Sequence, residues 1–371
     1  MPTTGHHLIL PLLLAVPAAF AQPKPAGWEI GGVLDVSHGT RELAFGQRNK
    51  GSGLGHSDLS LRGPLGTALA AQLTAAAHSH DGKLEAEIEE AWVETRALSA
   101  GLQARVGRFS SQISRLNEQH PHADDHAERP LLHRAFFGGH WFDDGLRLNW
   151  TAPTALYLRL GTEVFNGRHL VPEAATARTP GALTLSARTG GDLGTSASWQ
   201  AGAAWLHNRR EAEAEDPAAP HEHEAHGAAF SGRRNLLMDL TWKWAPDGNN
   251  RQRQLRIDIE HARITGLTAA AASLLRHQAT SLSAVWRLSQ AWEVGARADT
   301  LKANHPQVGG TFEGVRLREL TTMVAWKPTH GQTLRLQLTR QSGAESVDDA
   351  TARAIQLQYV LSFGAHGAHA Y

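Results

Sequence analysis

The sequence predicts an all-β protein, a transmembrane antiparallel β-barrel of about 16 strands (range about 14–18). Three observations lead there. Apolar and polar residues alternate with period two in about 16 runs, most of about 9–15 residues. The average soluble strand has only about 5–6 residues, whereas a tilted membrane-spanning strand needs about 9–11. The N-terminus reads as an export signal, yet no later stretch reaches the roughly 18 apolar residues of a transmembrane helix. Eleven tryptophans stand against three tyrosines, and Trp28, Trp150, Trp244, Trp292 and Trp326 lie near strand ends, as interfacial girdles require.

In chain order, the apolar run Leu8 to Val16 followed by Ala19-Phe20-Ala21 predicts a signal peptide over 1–21. The barrel then takes 22–371. Trp28, Ile30, Leu34 and Val36 open it on one face. After the Asp81-Gly82 turn, Leu84, Ala86, Ile88 and Glu90 alternate with Glu85, Glu87 and Glu89, a less clean pattern. Ala152-Pro153 and Pro246-Asp247-Gly248-Asn249-Asn250 mark further turns. Segments 167–180 and 209–232 read as long extracellular loops, and a helical turn is expected near 268–276. Leu255, Ile257 and Ile259 alternate with Arg256, Asp258 and Glu260. Two runs between Leu317 and Gln341 form a hairpin across Lys327-Pro328-Thr329-His330-Gly331. In its second arm Leu334, Leu336 and Leu338 alternate with Arg335, Gln337 and Thr339. The last strand carries Ile355, Leu357, Tyr359, Leu361 and Phe363 against Gln356, Gln358 and Ser362, with Val360 as the exception. The chain ends in the aromatic Tyr371.

Segment 110–142 breaks this rhythm. It holds His120, His122, His126, His133 and His140 among Glu118, Asp124, Asp125 and Glu128. A segment of roughly 30 residues without regular structure is functional or disordered more often than not. We expect it to fold inward as a constriction lined by Glu118, Asp125, Arg129, His133 and Arg134. Rings of charged side chains at a constriction set selectivity.

Imidazole and carboxylate together suit zinc and related ions. On an extended chain His120, His122, Asp124 and His126 would share one side, as a candidate ligand set. His221, His223 and His226 form a second set inside the His/Glu-rich loop 209–232. His78-Ser79-His80-Asp81 and the pair His366 and His369 are smaller clusters. Twenty of the 22 histidines follow residue 21. No tight ligand signature such as His-Glu-x-x-His is present, so any Zn2+ would be a reversible ligand and no cofactor is obligatory. A lone histidine such as His169, His261 or His305 is expected to be an ordinary solvent or lumen residue.

At Leu116-Asn-Glu-Gln-His-Pro-His122, Arg129-Pro-Leu131, Ala135-Phe-Phe-Gly-Gly139 and Asp143-Asp-Gly145 the chain resembles a family of Gram-negative outer-membrane proteins. The ending Phe363-Gly-Ala-His-Gly-Ala-His-Ala-Tyr371 is similar too. These are porin-like barrels, often labelled zinc-regulated or TonB-dependent receptor-like. The receptor label fits poorly. Such receptors have about 22 strands around a plug, and here only Gln22–Gly27 precede the first strand.

The 36 basic and 36 acidic residues balance, which gives no reason to expect nucleic acid. The absence of cysteine excludes disulfides and thiolate metal sites. No Gly-x-Ser-x-Gly or nucleotide loop is present, so an enzyme is not expected. The expectation is an outer-membrane porin-like channel for small solutes, linked to divalent metal, zinc first. Its partners would be outer-membrane lipid, lipopolysaccharide, the solute and further copies of the chain. The alternatives are a metal-binding outer-membrane or periplasmic β-protein without channel activity, and a barrel hydrolase using Asp124, Asp125 and His126.

Overall fold

Apart from one interrupted strand, each strand pairs with its neighbours in sequence, and the last pairs with the first. The computed structural model describes residues 27–80, 83–96, 98–171, 180–209, 227–267, 275–306, 311–343 and 351–364. The expected signal peptide, the cluster His221, His223 and His226, and the tail histidines His366 and His369 lie outside them, as does most of 268–276. The strands are β1 (Glu29–Gly39), β2 (Gly51–Leu54), β3 (Ser57–Leu65), β4 (Leu69–His80), β5 (Lys83–Thr95), β6 (Leu102–Ser110), β7 (Phe142–Thr151), β8 (Tyr157–Phe165) and β9 (Ala182–Leu193). They continue as β10 (Ala197–Asn208), β11 (Arg234–Trp244), β12 (Gln254–Thr265), β13 (Arg276–Arg287), β14 (Trp292–Pro306), β15 (Phe312–Thr329), β16 (Gln332–Ser342) and β17 (Thr351–Gly364). β17 closes on β1 from Gly31↔Gly364 to Gly39↔Gln356. β2 and β3 both pair with β1, so they are two halves of one stave. The 17 strands therefore form a closed antiparallel ring of 16 staves, the fold class the alternation predicts.

An even stave number puts the start of β1 and the end of β17 at the same rim. Short turns such as 194–196 and 330–331 lie at that turn end, and long connections such as 111–141 rise from the opposite, loop end. All five girdle tryptophans named above fall at the turn end. Trp244 and Trp286 stand 6.1 Å apart, and Trp292 and Trp326 stand 6.4 Å apart. Indole rings with one wet edge and one apolar face suit that interface.

Polarity is inverted relative to a water-soluble protein. On β16 Leu336 and Leu338 are 41% and 49% exposed, while Gln337 between them is completely buried. On β17 Ile355 and Leu357 face out, while Gln356 and Gln358 face in. A closed barrel leaves no unpaired edge, so apolar side chains can meet lipid while polar ones fill the lumen. Leu338→Arg is therefore expected to destabilise the inserted barrel by about 2–4 kcal/mol. Unfolding titration in lipid vesicles measures this; an unchanged midpoint would show that this face does not meet lipid.

Besides an irregularity near the β15–β16 turn, two β-bulges interrupt the staves, and both of these matter for the interior. Between β2 and β3, Gly55 and His56 hold one residue more than β1 offers opposite them. On β5, Thr74 pairs with Glu90 and Ala75 with Ile88, so Glu89 is the extra residue. A bulge shifts the alternation by one and re-aims a side chain. Before it Leu84 and Ile88 face out; at and after it Glu89, Glu90, Trp92 and Glu94 are all buried in the interior. This is the physical reason for the untidy pattern of that run.

Residues 111–141 lie inside the barrel. The segment includes one short helix, α1 (Leu131–Phe137), entirely buried. Pro130 precedes its first turn and Gly138, at φ 58°, ends it in the left-handed conformation that glycine adopts without strain. Leu131, Leu132, Phe136 and Phe137 pack against Leu206, Leu237, Ile264, Leu301 and Leu317 of the wall near the loop end. A local apolar core thus seats the segment in an otherwise polar lumen.

Candidate lumen site

The inward segment is tied to the wall on both sides of the ring. Near its roots Ser111 Oγ donates to Glu163 at 2.7 Å, and Gln112 donates to Asn149 at 2.8 Å. Arg115 reaches Thr241 and Asp258, each at 3.0 Å. Counting β2 and β3 as one stave, β14 stands eight staves from β6, the far side of the ring. From there Arg297 donates to the Glu128 carbonyl at 2.6 Å. Arg335 of β16 donates to the Asp124 carbonyl at 2.6 Å, and the Ala127 N–H donates to Gln337 at 2.8 Å. The segment therefore crosses the lumen.

The residues expected to line a constriction divide by role. Glu118 pairs with Arg159 at 2.6 Å and lies 3.6 Å from Arg188. Those guanidiniums outweigh the burial that opposes its charge and hold its carboxyl below the usual range. Asp125 pairs with Arg256. Arg129 is buried, bonded to Asp124 at 2.8 Å and to the Gly139 carbonyl at 3.0 Å. His133 and Arg134, on α1, are anchors more than lining. His133 meets Glu260 at 3.0 Å and Arg134 meets Glu319 at 2.5 Å, with both side chains of the second pair fully buried.

Among the described residues, three neighbouring cavities with shared lining residues lie in the lumen. The first, about 180 Å³, enters at the loop end past Phe45 and Ala229 and reaches His56, His140 and Asp124. The second, about 40 Å³, shares Asp124 with the first and Arg115 with the third. The third, about 400 Å³, opens toward the turn end beside Tyr157 and Trp199. The narrow middle section is acidic: Asp124, Asp125, Glu128, Asp239, Asp258 and Glu260 line it against Arg115 and Arg297.

The four-residue ligand set expected from 120–126 does not assemble. Pro121–Ala123 is a 3-10 turn, which ends the two-residue alternation the expectation assumed. Asp124 turns to Arg129. His126 is buried near Arg297 and Arg335; burial and those two charges push its pKa well below the ordinary value. His120 and His122 do remain together, with rings 5.7 Å apart and nearly parallel.

What they join was not singled out in the sequence. His120 Nδ1 lies 3.0 Å from Glu89 Oε2 and 3.3 Å from His56 Nε2. His56 Nε2 lies 3.3 Å from the same Glu89 oxygen and 3.7 Å from Asp58. His122 Nδ1 stands 3.0 Å from Asp58, and His120 Nε2 stands 3.3 Å from Glu90. His140 accompanies Glu89 at 3.8 Å and is bonded to Ser110 Oγ at 2.9 Å. Burial opposes charge on His120, but Glu89 and Glu90 outweigh it and hold its pKa well above the ordinary value. Burial pushes His140 down to about 4 and lowers His122 despite Asp58. The untidy alternation around Glu89 and Glu90 was the one local signal of this cluster. His78 of the third sequence cluster lines the same first cavity and pairs with Glu85 at 3.4 Å.

No family model matches this chain. It is 28% identical over 360 residues to an uncharacterized protein of Aquifex aeolicus, covering 90% of this chain and 73% of that one. The structure is similar to OprB of Pseudomonas putida at high pH, with TM-score 0.60 and 11% identity over 91% of this chain and 94% of that one. It is similar to Salmonella typhi OmpF in complex with daunomycin, with TM-score 0.58 and 9% identity over 91% and 98%. It is also similar to an anion-selective porin from Comamonas acidovorans, with TM-score 0.56 and 10% identity over 91% and 99%. These neighbours give no support to the receptor label or to a link with zinc. The architecture they share with this chain is the closed 16-stave barrel of the outer-membrane porins.

Proposed function

We propose that this protein is an outer-membrane channel for small polar solutes, narrowed by segment 111–141 and selective for cations. The observation that carries the reading is the small middle cavity left by the crossing segment: of its six carboxylates Asp124, Asp125, Asp239 and Asp258 are paired with arginines, and Glu128 and Glu260 stand outside those pairs as the acidic excess. Fixed negative charge at the narrowest point of a low-dielectric conduit concentrates cations and repels anions. Divalent metal ions are the solutes we favour, because the entry cavity passes the histidine–carboxylate cluster before it reaches the narrow section. The apolar belt would face outer-membrane lipid and lipopolysaccharide. The reading assigns no catalytic step.

Planar-bilayer recording with a potassium chloride gradient, in chelator, tests it. The expected result is small discrete openings whose reversal potential has the cation-selective sign. Anion selectivity would overturn the charge argument. No openings from protein that shows heat-modified migration would overturn the channel itself and favour a metal-binding barrel without channel activity.

A further inference from the structure

We propose that His56, Glu89 and His120 form the core of a site for one divalent transition-metal ion, zinc being the type case, with Asp58 as the adjacent carboxylate. The inference deepens the channel reading by placing a saturable metal stop in its entry cavity. The two readings can fail separately.

The geometry is the argument. A tetrahedral zinc ion with bonds of about 2.0–2.1 Å sets its ligand atoms about 3.3 Å apart. Here His56 Nε2, His120 Nδ1 and Glu89 Oε2 are 3.3, 3.3 and 3.0 Å from one another. Asp58 Oδ2 lies 3.7 and 3.9 Å from the two imidazole nitrogens. Two neutral imidazoles and two carboxylates would balance the charge of a divalent ion. The set is N/O, which suits the borderline ions zinc, cobalt and nickel better than calcium or magnesium, which prefer all-oxygen shells.

A second observation points to a ligand. Glu89 is 3% exposed, and two imidazole nitrogens, His120 Nδ1 and His56 Nε2, converge on its Oε2 at 3.0 and 3.3 Å. Two nitrogens and a carboxylate oxygen converging in a buried space, with few other donors around them, is the arrangement a metal ion uses. The surroundings supply the outer support that metal ligands need. His122 holds Asp58 at 3.0 Å, Glu90 lies 3.3 Å from the remote nitrogen of His120, and His140 stands beside Glu89.

The fold built this cluster with two of its register irregularities. One bulge aims His56 inward and the other aims Glu89, while the crossing segment brings His120. An ion held there would link three parts of the barrel: the interrupted stave, β5 and the crossing segment.

Calorimetric titration of refolded full-length protein in detergent with zinc chloride tests the site, with cobalt(II) absorption as a second readout. The expected result is at least one equivalent of zinc per chain and an intense, four-coordinate cobalt spectrum. The double variant His56→Gln/His120→Gln should lose one equivalent, and His56→Gln alone should weaken that equivalent at least about tenfold. The triple variant His221→Gln/His223→Gln/His226→Gln should keep it. Zinc uptake unchanged in both His56 variants, uptake lost with the triple variant, or no uptake by heat-modifiable wild type would each overturn the site. Conductance recorded in chelator is independent of all three outcomes.

Discussion

Replacing residues 112–140 with a short glycine–serine linker is expected to raise single-channel conductance several-fold. The segment crosses the lumen, and the smallest lumen cavity, about 40 Å³, is lined in part by its Arg115, Asp124, Asp125, His126 and Glu128, so excision removes that narrowing. A ring of 16 staves without such a segment leaves an aqueous channel. The excision is geometrically simple. Ser110 and Phe142 are partners in the ladder, and the Ser111 N–H donates to the Trp141 carbonyl at 3.0 Å, so a tight hairpin connection can close the gap. The barrel should still assemble, because its closure rests on strand ladders that the segment does not enter. Leu206, Leu237 and Ile264 would become exposed to water in the lumen, so a lower unfolding temperature is expected as well. Bilayer recording alongside heat-modified migration checks both effects. Unchanged conductance in a folded variant would show that the narrowing lies elsewhere.

Arg134→Ala is expected to loosen the crossing segment by about 3 kcal/mol, the low end of the range for breaking a buried ion pair. The low end applies because Arg297 still pairs with Glu319 at 2.9 Å after the change. The lost contacts are the pair to Glu319 at 2.5 Å and bonds to the carbonyls of Arg129 and Ala44 at 2.8 and 3.2 Å. About 3 kcal/mol corresponds to roughly a hundredfold. Amide exchange of the segment around α1 should therefore accelerate by about that factor, while exchange in the barrel strands stays put. Arg253→Ala is the comparison. Its partner Asp247 and the arginine itself are half exposed, and such pairs contribute little. Equal protection of the segment in the two variants would show that Arg134 is not its anchor.

The barrel was legible in the sequence because a strand's alternation is local. Leu334, Leu336 and Leu338 against Arg335, Gln337 and Thr339 declare one lipid face and one lumen face without reference to any other strand. The interruption over 110–142 was legible for the same reason, since the rhythm stops and restarts. The short helix inside it was not. Leu131–Phe137 is too short for a periodic signal, and its apolar face is explained by wall residues distant in the chain, among them Leu206, Leu237 and Ile264.

The histidines divide along the same line. Composition and spacing picked out His120 and His122 as ligand types. They could not say that a 3-10 turn at Pro121 would separate them from Asp124 and His126. Nor could they bring in His56, an isolated histidine in its own neighbourhood, or choose Glu89 from a run of four glutamates. Those choices depend on two one-residue shifts of strand register, and register is decided by pairing between strands. The sequence by itself determined that the strand rhythm of a barrel is interrupted over 110–142. Only the closed ring, with partners on its far side, decided that the segment crosses the lumen and which side chains meet there.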